Sequence, residues 1–189
     1  ATGEAKLVME PGSVIEDASS ITRSKGDAGS VGPAGAVWLQ GSDFEMENGA
    51  EIKNVNGRAV YADGGSVSVG GTISGIIGNP AMWQGKDGTA IHLRGSAKAT
   101  LNGKISDCTE GVLVFVDKAV FEMATGSFLG NSDAAGIKTN EDPTWSLVNK
   151  DDYGTDRNTI TIHGEISGIK NNKTPIQFKF GTLLIGADS

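Results

Sequence analysis

Phe44-Glu-Met-Glu-Asn-Gly-Ala-Glu-Ile52, Val67-Ser-Val-Gly-Gly-Thr-Ile-Ser-Gly75 and Ala99-Thr-Leu-Asn-Gly-Lys-Ile-Ser-Asp107 are versions of one skeleton. Two apolar residues stand at i and i+2, a glycine follows, and an isoleucine lies beyond it. The same skeleton extends in both directions along the chain. Its first column reads Leu7, Phe44, Val67, Ala99, Phe121 and Ile160, and its second Met9, Met46, Val69, Leu101, Met123 and Ile162. Then come Gly12, Gly49, Gly71, Gly103, Gly126 and Gly164, followed by Ile15, Ile52, Ile73, Ile105, Leu129 and Ile166. Between the paired apolar residues sit Val8, Glu45, Ser68, Thr100, Glu122 and Thr161, mostly polar. An alternation of period two marks strands with one buried face. A further strand contributes Val37, Val60, Ile91, Leu113, Ile137 and Ile176, with Leu39, Ala62, Leu93, Phe115, Thr139 and Phe178 two residues on.

Successive first-column residues stand 37, 23, 32, 22 and 39 apart, so the bare repeat is 22 or 23 residues and the longer intervals carry insertions. A repeat of this length, one strand-turn-strand unit each, predicts a solenoid whose strands stack in parallel at about 4.8 Å. Leucine-rich repeats share the period but demand fixed leucines and an asparagine turn, which are missing. The glycine column marks a corner with little room for a side chain. FEMENGAEI, VSVGGTISG and ATLNGKISD resemble the imperfect repeats of right-handed parallel β-helix proteins, the pectate-lyase-like solenoids of bacterial secreted and cell-surface proteins. The resemblance implies an all-β, right-handed parallel β-helix of about six coils. It does not select an activity, because lyases, glycosidases, adhesins and passenger domains share such helices.

At 189 residues the chain is expected to form a single domain, with insertions at 17–35, 75–88 and 139–158. The 28 glycines agree with many tight turns. A net charge of −7 argues against a nucleic-acid partner, which calls for clustered Lys and Arg. Cys108 is the one cysteine, so no internal disulfide forms, and its place near a corner suggests a small buried hydrophobe. No apolar run is long enough to insert in a membrane and no signal-type segment is recognisable. The expected location is extracellular, secreted or anchored at a bacterial surface. On that reading the domain is excised from a larger polypeptide, whose neighbouring domains are partners, and the sequon Asn172-Lys173-Thr174 is coincidental.

Function on a solenoid belongs to outward columns and insertions. From first to further strand the count is 16, 14, 16 and 16 residues in coils 2, 4, 5 and 6, but 30 in coil 1 and 24 in coil 3. Loops on coils 1 and 3 would flank a low coil 2, bearing Asn54, Asn56 and Arg58, with walls about 10 Å apart. The outward column of the further strand reads Trp38, Tyr61, His92, Val114, Lys138 and Gln177. Rings beside polar groups suit a saccharide, so Trp38, Tyr61, His92, Arg58, Asn54 and Asn56 are candidate ligand-binding residues. Trp83 and Trp145, inside insertions, complete that set; the opposing reading folds the insertions onto the rings as a satellite core. Asp151, Asp152 and Asp156 are candidate ligands for Ca²⁺ or simply a solvated loop, and Glu10, Asp43, Glu45 and Glu47 pose the same choice. Glu45 and Glu122 stand three coils apart, about 14 Å, too far for a glycosidase pair, although Asp27 with Asp87 is open. His92 and His163 have no cysteine partner for zinc. No catalytic residue is assigned and no cofactor is required. The first expectation is therefore a non-enzymatic, adhesin-like or structural surface module that presents loops to a glycan or protein. An accessory segment of a polysaccharide lyase or glycoside hydrolase and a purely structural spacer are the alternatives.

Overall fold

The computed structural model describes residues 5–19, 35–78, 88–139, 158–179 and 181–186. These residues are all-β, without a helix, and every strand pairing is parallel. The first pass of the chain forms β1 (Lys6–Met9), β2 (Val14–Glu16) and β3 (Val37–Gln40). The second forms β4 (Asp43–Met46), β5 (Glu51–Lys53) and β6 (Arg58–Asp63), and the third β7 (Ser66–Val69), β8 (Thr72–Ser74) and β9 (Thr89–Arg94). The fourth forms β10 (Lys98–Leu101), β11 (Lys104–Ser106) and β12 (Thr109–Asp117). The fifth has β13 (Val120–Met123) and one long strand, β14 (Phe128–Thr139). The sixth has β15 (Asn158–Ile162), β16 (Glu165–Ile169) and β17 (Ile176–Gln177), and β18 (Gly181–Ile185) follows.

Two curled sheets result. One has seven strands in the order β1-β4-β7-β10-β13-β15-β18. The other has eleven, β2-β5-β8-β11-β14-β12-β9-β6-β3, and doubles back because β14 pairs β11 with its first residues and β12 with its later ones. The expected columns appear as registers. Leu7, Phe44, Val67, Ala99, Phe121 and Ile160 are successive partners, extended by Leu183. Ile15, Ile52, Ile73, Ile105, Leu129 and Ile166 are another such row. The inward residues form one continuous apolar core, from Met9 to Ile162.

One strand departs from the expectation. Ile91 pairs with Val114 and Leu93 with Val116, so Val114 and Val116 take the inward column that the sequence reading gave to Leu113 and Phe115. Phe115 accordingly replaces Val114 in the outward column, between His92 and Lys138. The cause is an irregularity between Thr109 and Val112, where Glu110 and Gly111 have φ of 62° and 80°. An added residue in one strand shifts its parity, and every following side chain changes face.

The corners rest on left-handed backbone. Asp17, Asn54, Gly75, Asp107, Asn131 and Gly168, each two residues beyond the isoleucine column, have φ of 54°, 54°, 63°, 57°, 49° and 66°. Asn, Asp and Gly are the residues that adopt this region at least cost. The glycine column divides in two. Gly126 needs a φ of +82° and has open space around it, whereas Gly103 lies so close to the Gly71 carbonyl oxygen that a Cβ would collide with it.

Candidate ligand-binding face

The outward column of β3, β6, β9, β12 and β14 pairs Trp38 with Tyr61, Tyr61 with His92, His92 with Phe115 and Phe115 with Lys138, and Lys138 meets Gln177 of β17. The expected ring row therefore exists and contains one ring more. His92 lies 4.9 Å from both Tyr61 and Phe115, centroid to centroid, tilted at 55° and 61°. Such tilted contacts set ring edges against neighbouring π faces. The Arg58 guanidinium stands 5.4 Å from the Tyr61 ring centre, within cation–π range.

Burial distinguishes these rings. Tyr61, His92 and Phe115 are buried, while Trp38 is 53 % exposed. Ala59, Ala90 and Leu113, two residues before the three buried rings, are buried as well. This stretch of sheet is thus covered on both faces, the usual condition of parallel strands. Only Trp38, on the edge strand β3, offers a large part of its ring to solvent.

A second outward row runs beside the rings and was missed in the sequence reading. Gln40, Asp63, Arg94 and Asp117 are register partners, two residues beyond Trp38, Tyr61, His92 and Phe115. Their constant offset from the ring column was the available signal. The hydrogen bond between Arg94 and the Tyr61 hydroxyl, with the charges of Asp63 and Asp117, pushes the Arg94 pKa up. A cation between two carboxylates on neighbouring strands is held firmly charged.

Asn54 and Asn56 lie on the corner before Arg58 rather than on the ring face. Asn54 belongs to the left-handed corner column, its Oδ1 facing Gly75, and Asn56 bridges in parallel to Ser19 and Ile77. Both are exposed. Trp83, Trp145, Asp151, Asp152 and Asp156 lie outside the described residues.

The acidic strand β4 is engaged within its own sheet. Asp43 Oδ1 accepts hydrogen bonds from Ser66 N and Oγ at 2.9 and 2.6 Å, which hold its carboxyl below the usual range, and Glu45 pairs with Lys6. Among the described residues no three His, Cys, Asp or Glu side chains are grouped to hold a metal ion. Cys108 is buried, donates to the Ser106 carbonyl, and its thiol is pushed up to about 12 by burial. A thiol so disfavoured as thiolate is a poor nucleophile. No protein-family model, curated protein or solved structure matches the chain.

Proposed function

We propose that the chain is a right-handed, pectate-lyase-like parallel β-helix of about six coils, working as an extracellular bacterial surface module that binds a glycan. Parallel registers in constant columns and corners of left-handed Asn, Asp and Gly support the fold part of this reading. The exposed Trp38 carries the functional part. A large ring left in water on an edge strand is a costly exposure with a ready use. Sugar CH groups stack on the indole, and Gln40 and Asp63 on the adjoining outward row can take hydroxyl hydrogen bonds.

The buried Tyr61, His92 and Phe115 serve in this reading as the rigid bed of the site. A glycan array probed with the wild-type chain and with Trp38→Ala tests it. Retained glycans should drop by about tenfold or more on loss of the indole, a stacking contribution of roughly 1.4 kcal/mol. Equal signals from both proteins on every glycan would overturn the reading and leave a structural spacer in its place.

A further inference from the structure

Asparagine stands directly before glycine at Asn48-Gly49, Asn56-Gly57 and Asn102-Gly103. In this pair the side-chain amide is least hindered from reacting with the main chain, because glycine sets no Cβ beside its nitrogen. All three asparagines are exposed, so cover does not tell them apart. The glycine nitrogens do. Gly57 is buried and its N–H donates to the Ile77 carbonyl at 2.9 Å, while that of Gly103 donates to the Val69 carbonyl at 2.9 Å. Gly103 is also pressed against the neighbouring pass at the Gly71 carbonyl oxygen. Gly49 differs on each count. It is exposed, in a turn closed by Ala50 N donating to Glu47 O at 3.1 Å, and among the described residues its own N–H enters none of the backbone hydrogen bonds that hold the corners. The nearest atom to a Cβ built there is Pro11 Cβ at 3.7 Å, an ordinary contact.

We propose that Asn48 is a site of spontaneous deamidation, the one Asn-Gly pair of the three that the fold leaves open to it. The Gly49 nitrogen bonds to Asn48 Cγ, the Cγ–Nδ2 bond breaks, and ammonia leaves with the proton that the Gly49 nitrogen gives up. Water then opens the resulting cyclic imide. Cleavage at the side-chain carbonyl leaves aspartate; cleavage at the main-chain carbonyl leaves isoaspartate, whose backbone runs through Cβ and Cγ. Overall one amide and one water become one carboxylate and one ammonium, without an oxidant or a cofactor. At Gly57 and Gly103 the same attack requires the N–H to leave its carbonyl first, which ties the chemistry to local opening of the structure. Either product adds negative charge next to Glu47 in a chain already at −7. Isoaspartate also lengthens the main chain at the corner where Gly49 O accepts from Gly12 N at 3.0 Å, a bond that joins the first two passes. Asn48 lies between β4 and β5, outside the Trp38 column, so the inference does not depend on the glycan reading.

Incubation of the folded chain in warm, mildly alkaline buffer, with peptide mapping by mass spectrometry at intervals, tests the site. Asn48 should convert about tenfold or more faster than Asn56 or Asn102, the factor that corresponds to one backbone hydrogen bond broken before attack. In guanidinium chloride, where the ladders are gone, the three should react at comparable rates. Asn48→Gln, whose longer side chain closes the imide poorly, should remove the first acidic band to appear on isoelectric focusing of the aged protein. Conversion of Asn56 or Asn102 in the folded chain as fast as that of Asn48 would overturn the proposal. So would an Asn48 that stays intact while the unfolded chain reacts at all three positions, or an early acidic band that persists in the glutamine variant. A preference for Asn48 undiminished in guanidinium chloride overturns it as well, since the selectivity would then belong to the local sequence and not to the fold.

Discussion

Gly41, Gly64 and Gly95 each send their backbone N–H to a carbonyl of the next pass, those of Asp63, Arg94 and Asp117, at 2.9 to 3.1 Å. At the next such position a side chain takes part, the Oδ1 of buried Asn158 accepting from Lys118 N at 2.8 Å and Ala119 N at 3.5 Å. Asn158→Ala should therefore cost about 1–3 kcal/mol, through loss of the hydrogen bonds that this buried side chain accepts. The urea denaturation midpoint measures it. Cys108 supports a pH prediction. Burial raises its folded-state pKa to about 12 from an ordinary 9.0, so between these values the unfolded chain binds fewer protons and stability falls as pH rises. The wild type should lose about 1 kcal/mol more than Cys108→Ala between pH 9 and 10, a slope that vanishes below pH 8. Denaturation of the two proteins at matched pH values provides the comparison.

Strands differ in how openly their sequences declare themselves. β4, β7 and β10 alternate apolar with polar residues, as in Phe44-Glu-Met46 and Val67-Ser-Val69, and only one assignment of faces buries them sensibly. β12 contains Val112-Leu-Val-Phe-Val116, apolar on both faces, so alternation holds no information about its parity. The face assignment from sequence is one residue off there, and the register with β9 together with the left-handed Glu110 and Gly111 reveals the offset. The left-handed corner column was legible in principle as Asp, Asn or Gly two residues beyond each isoleucine, since the residue chemistry matches the backbone need. The exposure of Trp38 against the burial of Tyr61 was not legible, because all occupy equivalent positions in a column and cover is a tertiary property. The β12 offset also yields a test. A Cβ on Gly111 would collide with the Gly88 carbonyl in addition to resisting a φ of 80°, so Gly111→Ala should destabilise by about 2–4 kcal/mol. Chemical denaturation measures the loss; a cost below about 0.5 kcal/mol would mean that the bulge relaxes freely.

At the scale of the molecule, each ladder among the described residues joins a strand to its counterpart in a neighbouring pass, so each strand's pairing contacts are with its immediate neighbours. Among the described residues the strands of inner passes pair on two sides, while β1, β2, β3 and β18 pair on one. The isoleucine column is a ready gauge of this difference, because Ile52, Ile73 and Ile105 are fully buried whereas Ile15 and Ile166 are only partly so. The same truncation should therefore differ by position alone. Ile73→Ala and Ile105→Ala should each cost about 2–5 kcal/mol, while Ile15→Ala and Ile166→Ala should cost under about 1.5 kcal/mol, with water or side-chain movement relieving the cavity at the ends. Hydrogen exchange should follow the same gradient, with amides of β1, β2, β16 and β18 exchanging through local opening and those of β8 and β11 only with global unfolding. Equal truncation costs along the column would show instead that the passes unfold as one unit with no weaker ends, and would remove the basis for this gradient.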